Sequence, residues 1–404
     1  MTKQNIPSIR FKGFDGEWEN IKLKDSGKFV RESIFPNNFP DLVYQEYSMP
    51  SFDANKTPST VLGKTMMSNR LVIDETVLLI NKLNVRQKRI WLVENPKENS
   101  VSSAEFMPFK STKLDLKFLQ QYLLSDPTTR YLDSISTGTS NSQKRVTPDD
   151  LLNYIISVGS IAEQSQIGSL FSTIDSLLSS YKDNLENYQF FKKTMLSKMF
   201  PKAGQNVPEI RLDGFEGKWI RVKMGDVFSQ KVDYIEPDEK NELWSLTVEK
   251  GLTPKIERYK RDFLVKKTDK FKRVKPNDFA YNPMNLTLGS LDANQLGKSI
   301  SVSGYYVVMS IEDYSKYDID YFKILLKTSF AIFQYKQYAT GTLIEKQRVQ
   351  FPIFSDISFA LPSLPEQRAI GSFFSNLDDL ISSYQNKIDE LETLKKKLLQ
   401  DMFI

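Results

Sequence analysis

Along two stretches of the chain, apolar side chains recur at alternating steps of four and three residues. Ile167, Phe171, Ile174, Leu178, Tyr181, Leu185 and Tyr188 form the first run. Ile370, Phe374, Leu377, Ile381, Tyr384, Ile388 and Leu391 form the second, which continues through Leu398 to Met402. A mean step of 3.5 keeps one face of an α-helix apolar, the pattern of a coiled-coil seam. Lys192 and Lys395 interrupt the two seams at the same place. Each run predicts a helix of roughly 35 residues, about 50 Å long at 1.5 Å per residue. Pro365 stands at the start of the second helix and Pro201 ends the first, as the fixed φ and missing N–H of proline favour. Each seam finds its partner in the other, so the helices are expected to pack together, antiparallel if the halves are related by a pseudo-twofold axis.

Between the seams the period changes. The β-branched and aromatic runs from Leu71 to Ile80 and from Ser299 to Met309 read as strands. Residues 116–125 and 319–328 have helical spacing. The expected fold class is therefore α+β: two pseudo-symmetric globular α/β lobes separated by two long antiparallel coiled-coil helices. The expected boundaries are 1–160 for the first lobe, 161–206 for the central helix, 207–364 for the second lobe and 365–404 for the C-terminal helix.

The chain is written twice. Pro7-Ser-Ile-Arg-Phe-Lys-Gly-Phe-Asp-Gly-Glu-Trp18 returns as Pro208-Glu-Ile-Arg-Leu-Asp-Gly-Phe-Glu-Gly-Lys-Trp219, and over 7–25 against 208–226 nine of 19 positions are identical. Residues 163–181 return at 366–384 with 12 of 19 identical, and Thr137-Gly-Thr139 with Lys144-Arg145-Val146 returns as Thr340-Gly-Thr342 with Gln347-Arg348-Val349. Residues 26–135 and 227–336 share little beyond pairs such as Asn81/Asn282 and Asn84/Asn285. Matched frames hold unlike inserts, which either meet different targets or have simply drifted. Trp18 and Trp219 read as core anchors of the repeated block.

With 404 residues, 40% of them hydrophobic, the chain is long enough for two to four domains and too apolar for disorder. It has no cysteine and no histidine, which removes disulfides, thiolate nucleophiles, Cys/His zinc sites and Ser-His or Cys-His catalytic pairs. No apolar run approaches a membrane span, and the first seven residues lack a signal-peptide core, so a cytoplasmic protein without a membrane partner is expected. Catalytic motifs fail in the same way. There is no Gly-x-Gly pair; Gly297-Lys298-Ser299 lacks the first glycine of a phosphate loop, with Asp292 in its place; and Asn282-Pro-Met-Asn285 lacks the second proline and the aromatic of an amino-methyltransferase motif, reading instead as a turn after the strand at 279–281.

Charge is uneven. The net charge is only +5, yet ten basic and three acidic residues fall between Lys255 and Lys275, and Lys82, Arg86, Lys88 and Arg89 follow one another with no intervening acid. One cluster falls in each insert, which fits phosphate neutralisation, though solvated loops read the same way. Arg suits guanine and Asn or Gln suits adenine in the major groove. The Thr-Gly-Thr turns offer N–H and hydroxyl donors to phosphate, or are plain tight turns. The candidate DNA-binding residues are thus Lys82, Asn84, Arg86, Lys88, Arg89, Lys144 and Arg145 in the first half, and Lys266, Lys267, Lys272, Arg273, Asn282, Asn285, Thr340, Thr342, Lys346 and Arg348 in the second. Asn81, Gln87 and Gln347 accompany them. No catalytic or metal-ligating residue is assigned. A stiff helix pair holding two reading lobes would act as a ruler for half-sites about 34–36 Å apart.

The repeated Pro-x-Ile-Arg-(Phe/Leu)-x-Gly-Phe-x-Gly-x-Trp block, and the run Leu361-Pro-Ser-Leu-Pro-Glu-Gln-Arg-Ala-Ile-Gly-Ser-Phe-Phe-Ser-Asn-Leu-Asp378, resemble the DNA specificity subunit of type I restriction-modification enzymes over essentially the whole chain. The resemblance implies two target-recognition domains joined by antiparallel helices, each reading one part of a split, asymmetric double-stranded DNA target. It implies assembly with two modification subunits, which bind S-adenosylmethionine and methylate adenine, and with restriction subunits that use ATP and Mg²⁺ to translocate and cut DNA. No cofactor is expected on this chain, and no enzyme activity of its own. The helical blocks, with Glu163, Gln164, Glu366 and Gln367 at their starts, are the expected docking residues for those subunits. Ala162-Glu163-Gln164 departs from the Leu-Pro-Glu-Gln of the second copy, so the first helix is expected to start less sharply. The rival expectation is a pseudo-symmetric protein-binding scaffold that never touches DNA.

Overall fold

The computed structural model describes residues 5–138, 140, 142–236, 238, 240–255, 270–341 and 347–403. The chain divides into two units, residues 1–183 with 385–404, and residues 184–384. Each unit holds one lobe together with part of each long helix.

In the first unit the strand Glu19–Lys22 pairs antiparallel with Ile155–Val158, joining the two ends of the lobe. A four-stranded antiparallel sheet runs in the spatial order Gly27–Phe29, Phe106–Ser111, Val77–Asn81, Ile90–Val93. Val77–Asn81 is buried along its whole length because both faces are covered. Leu78 and Ile80 join Phe118, Leu119 and Tyr122 of the helix Leu116–Leu124, whereas Val77 and Leu79 join Tyr47, Ile73 and Trp91 on the other side. A second sheet has the order Ser33–Ile34, Arg70–Val72, Ser100–Ser103, Val43–Tyr47, Ser59–Leu62, with Val43–Tyr47 parallel to Ser100–Ser103.

The second unit repeats this plan from a sequence that shares little with the first. Ile220–Lys223 pairs with Ser358–Leu361. The four-stranded sheet has the order Phe228–Lys231, Val307–Ile311, Phe279–Tyr281, Leu291–Ala293, and the other sheet Tyr234–Ile235, Phe271–Val274, Ile300–Ser303. A hairpin of Trp244–Thr247 and Gly251–Pro254 meets that sheet through a parallel bridge between Leu243 and Ser301, where the first lobe has two full strands. The helix Met49–Asn55 of the first lobe has no counterpart in the tight turn of this hairpin.

The apolar runs at 71–80 and 299–309 are each two strands and not one. Arg70–Val72 and Val77–Asn81 belong to different sheets, as do Ile300–Ser303 and Val307–Ile311. Asp74-Glu75 and Gly304-Tyr305 supply the breaks, which hydrophobicity summed over the window conceals.

The long helices are Ile161–Lys198 and Leu364–Asp401, 38 residues each. Within the first unit, Ile167, Phe171, Ile174 and Leu178 are buried, and Lys395 Nζ meets Asp175 Oδ1 at 2.5 Å while Lys182 Nζ meets Glu392 Oε1 at 2.6 Å. Partner numbers fall on one helix as they rise on the other, so the helices run antiparallel. Within the second unit Ile370, Phe374 and Leu377 are buried, Lys192 pairs with Asp378, and Tyr188 packs on Tyr384 with ring centroids 5.3 Å apart. Lys192 and Lys395, which interrupt the seams in sequence, thus each find an aspartate on the facing helix.

Candidate nucleic-acid interface

The repeated blocks build a clamp at the base of each lobe. Arg10 donates from Nε to Glu163 Oε1 at 2.6 Å and from Nη2 to Oε2 at 2.9 Å, and its Nη1 donates to the Gly16 carbonyl at 2.6 Å. Trp18 Nε1 donates to the same carboxylate at 3.1 Å. Arg211 repeats the fork on Glu366 at 2.7 and 2.7 Å and holds the Gly217 carbonyl at 2.6 Å. The Gly-Phe-x-Gly turn needs its glycines, since Gly13, Gly16, Gly214 and Gly217 all take φ between 79° and 93°. Hydrogen bonding to the carboxylate raises the proton affinity of both arginines.

Next to each clamp glutamate, a glutamine ties the helix start to the lobe. Gln164 accepts from the Asp115 N–H at 3.1 Å and donates to the Gly159 carbonyl at 2.9 Å; Gln367 accepts from the Asp318 N–H at 3.0 Å and donates to the Pro362 carbonyl at 3.0 Å. Glu163, Gln164, Glu366 and Gln367 are at most 2% exposed. The expectation that these four dock other subunits is therefore corrected. Buried and fully engaged, they hold lobe to helix inside one unit and present nothing to a partner.

Each lobe also contains an edge where separate sequence motifs converge. In the first, Asn84 donates its backbone N–H to the Lys144 carbonyl at 2.8 Å, Val146 donates to Lys82 at 3.0 Å, and Thr137 and Arg145 exchange N–H···O bonds of 3.0 and 2.8 Å. Asn81 shapes the loop by accepting the Leu83 N–H at 2.9 Å. Asn84 and Lys88 take left-handed conformations, each with φ 50°. In the second lobe Asn282 accepts the Met284 N–H at 3.1 Å, Val349 donates to the Pro283 carbonyl at 3.0 Å, and Thr340 and Arg348 exchange bonds of 3.1 and 2.9 Å. In both lobes the Asn-x-x-Asn loop is thus bonded to a segment more than 50 residues further on, which in turn exchanges bonds with Thr137 or Thr340. Thr340 and Arg348 are exposed, and Asn285 sits on the turn that follows Asn282.

The electrostatics differ from the sequence picture. Arg86 forks Asp133 at 2.9 and 2.8 Å, Lys144 Nζ lies 3.9 Å from the same carboxylate, Lys88 meets Asp126 at 2.6 Å, Arg89 forks Asp53 at 2.7 Å, and Arg145 meets Glu105 at 3.0 Å. Asp133, Asp126 and Asp53 are all held below the usual carboxylate range, chiefly by the hydrogen bonds from Arg86, Lys88 and Arg89. Among the described residues only Lys82 of this group has no ion pair. The acids that balance the cluster come from other segments, which reading 81–89 alone cannot show.

In the second lobe Lys272 and Arg273 lie on Phe271–Val274, in the other sheet from Asn282. Lys272 is 7% exposed, its Nζ donates to the Tyr306 carbonyl at 2.7 Å, and burial lowers its pKa. Its expected place on a phosphate-facing surface is accordingly corrected to an internal one. Arg273 stands 3.6 Å from Asp233. Thr139, Lys266, Lys267, Thr342 and Lys346 lie outside the described residues.

Two features escaped the sequence reading although their signals were present. Arg10 and Arg211 occupy the same place in the repeated block. Met199-Phe200 and Met402-Phe403 form a further repeat, and each pair plugs the core of one lobe: the Phe403 ring centroid lies 5.4 Å from those of Phe118 and Tyr122, and that of Phe200 5.8 Å from that of Tyr321.

Among the described residues no group of His, Cys, Asp or Glu is arranged to hold a metal, and no helix is long and apolar enough to cross a membrane.

No family model matches the chain. A protein of Methanocaldococcus jannaschii named as the type I restriction enzyme MjaX specificity subunit is 22% identical over 426 aligned positions, covering 98% of this chain and 95% of that protein. The crystal structure of a type I restriction-modification S subunit from M. genitalium superposes with a TM-score of 0.63 at 14% identity, covering 99% of each chain. A chain from a structure of a type I restriction-modification system, concerned with its assembly and conformational transition, superposes with a TM-score of 0.51 at 16% identity, covering 96% of this chain and 98% of that one. These structures share the fold, with its mixed lobes and long helices. Together with the internal duplication, these comparisons show a chain similar along its whole length to type I restriction-modification specificity subunits.

Proposed function

We propose that the chain is the DNA-reading subunit of a type I restriction-modification complex, each lobe reading one part of a bipartite, asymmetric target on double-stranded DNA. The observation that carries this reading is the edge built twice, in which an Asn-containing loop bonds to the segment at 144–146 or 348–349 and that segment exchanges bonds with Thr137 or Thr340, although the inserts share little sequence. Arg86, Arg145 and Arg348 bring guanidinium forks suited to guanine, and Asn84, Asn282 and Asn285 bring amides suited to adenine. Lys82, Lys88, Arg89, Lys144, Arg273, Thr340 and, by charge or donor type alone, Lys266, Lys267, Thr342 and Lys346 anchor to phosphate.

Two modification subunits, carrying S-adenosylmethionine, and restriction subunits, carrying ATP and Mg²⁺, supply adenine methylation and cleavage, while this chain directs them without enzyme activity or cofactors of its own. The helix pair sets the gap between the half-sites. With the Glu-Gln pairs buried, docking falls to exposed faces of the long helices, where Phe190 is 71% exposed. The cytoplasm, where the DNA lies, is the proposed compartment.

The pairing of the candidate cations Arg86, Lys88, Arg89, Lys144 and Arg145 with carboxylates favours the rival scaffold reading, in which the lobes bind proteins. A gel shift of the full chain on random-sequence duplex, with and without its methyltransferase partner, separates the two. A shift that weakens steeply with salt supports DNA reading; no shift even with the partner present leaves the scaffold. Mapping methylated adenines in cells that carry the system then gives the target.

A further inference from the structure

The smaller sheet of the second lobe carries a pocket that the converging edge does not use. It encloses about 390 Å³, within the ~300–1,000 Å³ range of small-molecule sites. Its walls include Tyr234, Trp244, Lys270, Tyr305 and Tyr306. Its rim is built by the tight turn between Ile300–Ser303 and Val307–Ile311, closed by the Tyr306 N–H on the Ser303 carbonyl at 3.0 Å. Gly304 donates its N–H to the Lys270 carbonyl at 2.8 Å, and a side chain at 304 would come within 2.5 Å of that oxygen. The tip carries Tyr305 outward to 89% exposure, an unusual position for so large a ring.

The charges at this pocket are arranged differently from those on the first lobe. Lys270 Nζ lies 5.6 Å and Lys272 Nζ 5.9 Å from the Tyr234 ring centroid. The carboxylates on neighbouring segments, Asp233 and Glu242, are engaged by Arg273 and Lys298. Among the described residues Lys270 meets no carboxylate, whereas Arg86, Lys88 and Arg89 each do, and Lys272 is held inside on the Tyr306 carbonyl. Open aromatic faces favour a flat ring, and uncompensated cations favour an anion.

We infer that this pocket binds a nucleotide that is not stacked in a duplex, its base against the aromatic walls and its phosphate drawn to Lys270. The nucleotide is either free or part of an unpaired DNA strand, and both present the same chemistry. The inference stands apart from duplex reading by the converging edges, and its test uses no duplex.

Trp18, Trp91 and Trp219 are buried, whereas Trp244 is only partly so, which makes tryptophan emission of the full chain a reporter of the pocket. The probes are adenosine monophosphate, a short single-stranded oligodeoxyadenylate and inorganic phosphate. Saturable quenching by a nucleotide probe is expected, with affinity falling about tenfold in Tyr305→Ala and in Lys270→Ala. Quenching by the mononucleotide assigns a free ligand, and quenching by the oligonucleotide alone assigns a strand. The inference is overturned if neither probe quenches, if both variants bind as the parent does, or if inorganic phosphate displaces the nucleotide at equal concentration.

Discussion

Arg10 and Glu163 face each other through two parallel hydrogen bonds of 2.6 and 2.9 Å, the carboxylate fully buried and the guanidinium nearly so. Because Arg10 also holds the Gly16 carbonyl, a single side chain fixes the turn, the tryptophan behind it and the first turn of a 38-residue helix. Arg211 and Glu366 do the same in the second unit.

Breaking one clamp should therefore cost far more than removing a surface ion pair. In Arg10→Ala the Glu163 carboxylate is left buried without its partner, a loss of roughly 3–5 kcal/mol. Urea unfolding of the full chain checks this, and Arg10→Lys, which keeps the charge but not the fork, should fall between. A loss below about 1 kcal/mol, the scale of an exposed pair, would show that the clamp does not hold the lobe.

The Met-Phe plugs lead to a second expectation. Phe403 is 8% exposed and touches Phe118, Tyr122 and Phe171 with centroids 5.4 to 5.8 Å away. Phe403→Ala should destabilise the first unit by about 3–5 kcal/mol, as for large aromatics in other cores. Phe200→Ala should do likewise in the second unit, where Phe200 packs on Tyr321 and Phe374. Limited proteolysis with assignment of the first cuts distinguishes the units. Cuts that begin in the same lobe for both variants would contradict the arrangement.

The frame was legible because it obeys short-range rules: the 4,3 spacing of Ile167 to Tyr188 specifies a helix and the repeated blocks specify a duplication. The likeness of the two inserts was hidden, since Val77–Asn81 and Phe279–Tyr281 hold the same place in their sheets through burial and hydrogen bonding with little shared identity. The electrostatics were hidden for a different reason. Lys82 to Arg89 is a run of cations in sequence, but Asp53, Asp126 and Asp133 reach it from elsewhere in the fold. Burial misled in the same way at Glu163 and Gln164, whose charge and polarity read as surface until the clamp explains them.

Those carboxylates change what substitution at the converging edge should do to DNA binding by the assembled enzyme. Among the described residues Lys82 has no ion pair to exchange, so Lys82→Ala should weaken binding evenly across sequences and lower the salt slope by about one. Arg86 must leave Asp133 to meet DNA. Asp133→Asn frees both Arg86 and Lys144, which should tighten binding, steepen the salt dependence and raise binding to near-target sequences. Arg86→Ala should cost about 1–3 kcal/mol at one base position if its fork reads guanine. A salt series on target and off-target duplexes measures all three, and an Asp133→Asn enzyme that bound more weakly would count against the edge as a DNA surface.

The same acids make the first lobe sensitive to low pH. Asp53, Asp126 and Asp133 bind protons less readily folded than unfolded, because Arg89, Lys88 and Arg86 donate hydrogen bonds to the ionised form. A carboxyl whose folded pKa is depressed contributes stability above its unfolded pKa, near 3.9, and that contribution drains away as pH falls through the unfolded value toward the folded one. Stability from these pairs should thus be constant between neutrality and about pH 5 and decline below about pH 4. The triple variant Asp53→Asn, Asp126→Asn, Asp133→Asn cannot undergo that loss. It should be modestly less stable than the parent at pH 7, since the pairs are partly exposed, and should converge on the parent as the solution is acidified. Urea midpoints at neutral and acid pH test this, and parallel declines in parent and variant would mean that the three pairs contribute nothing to folding.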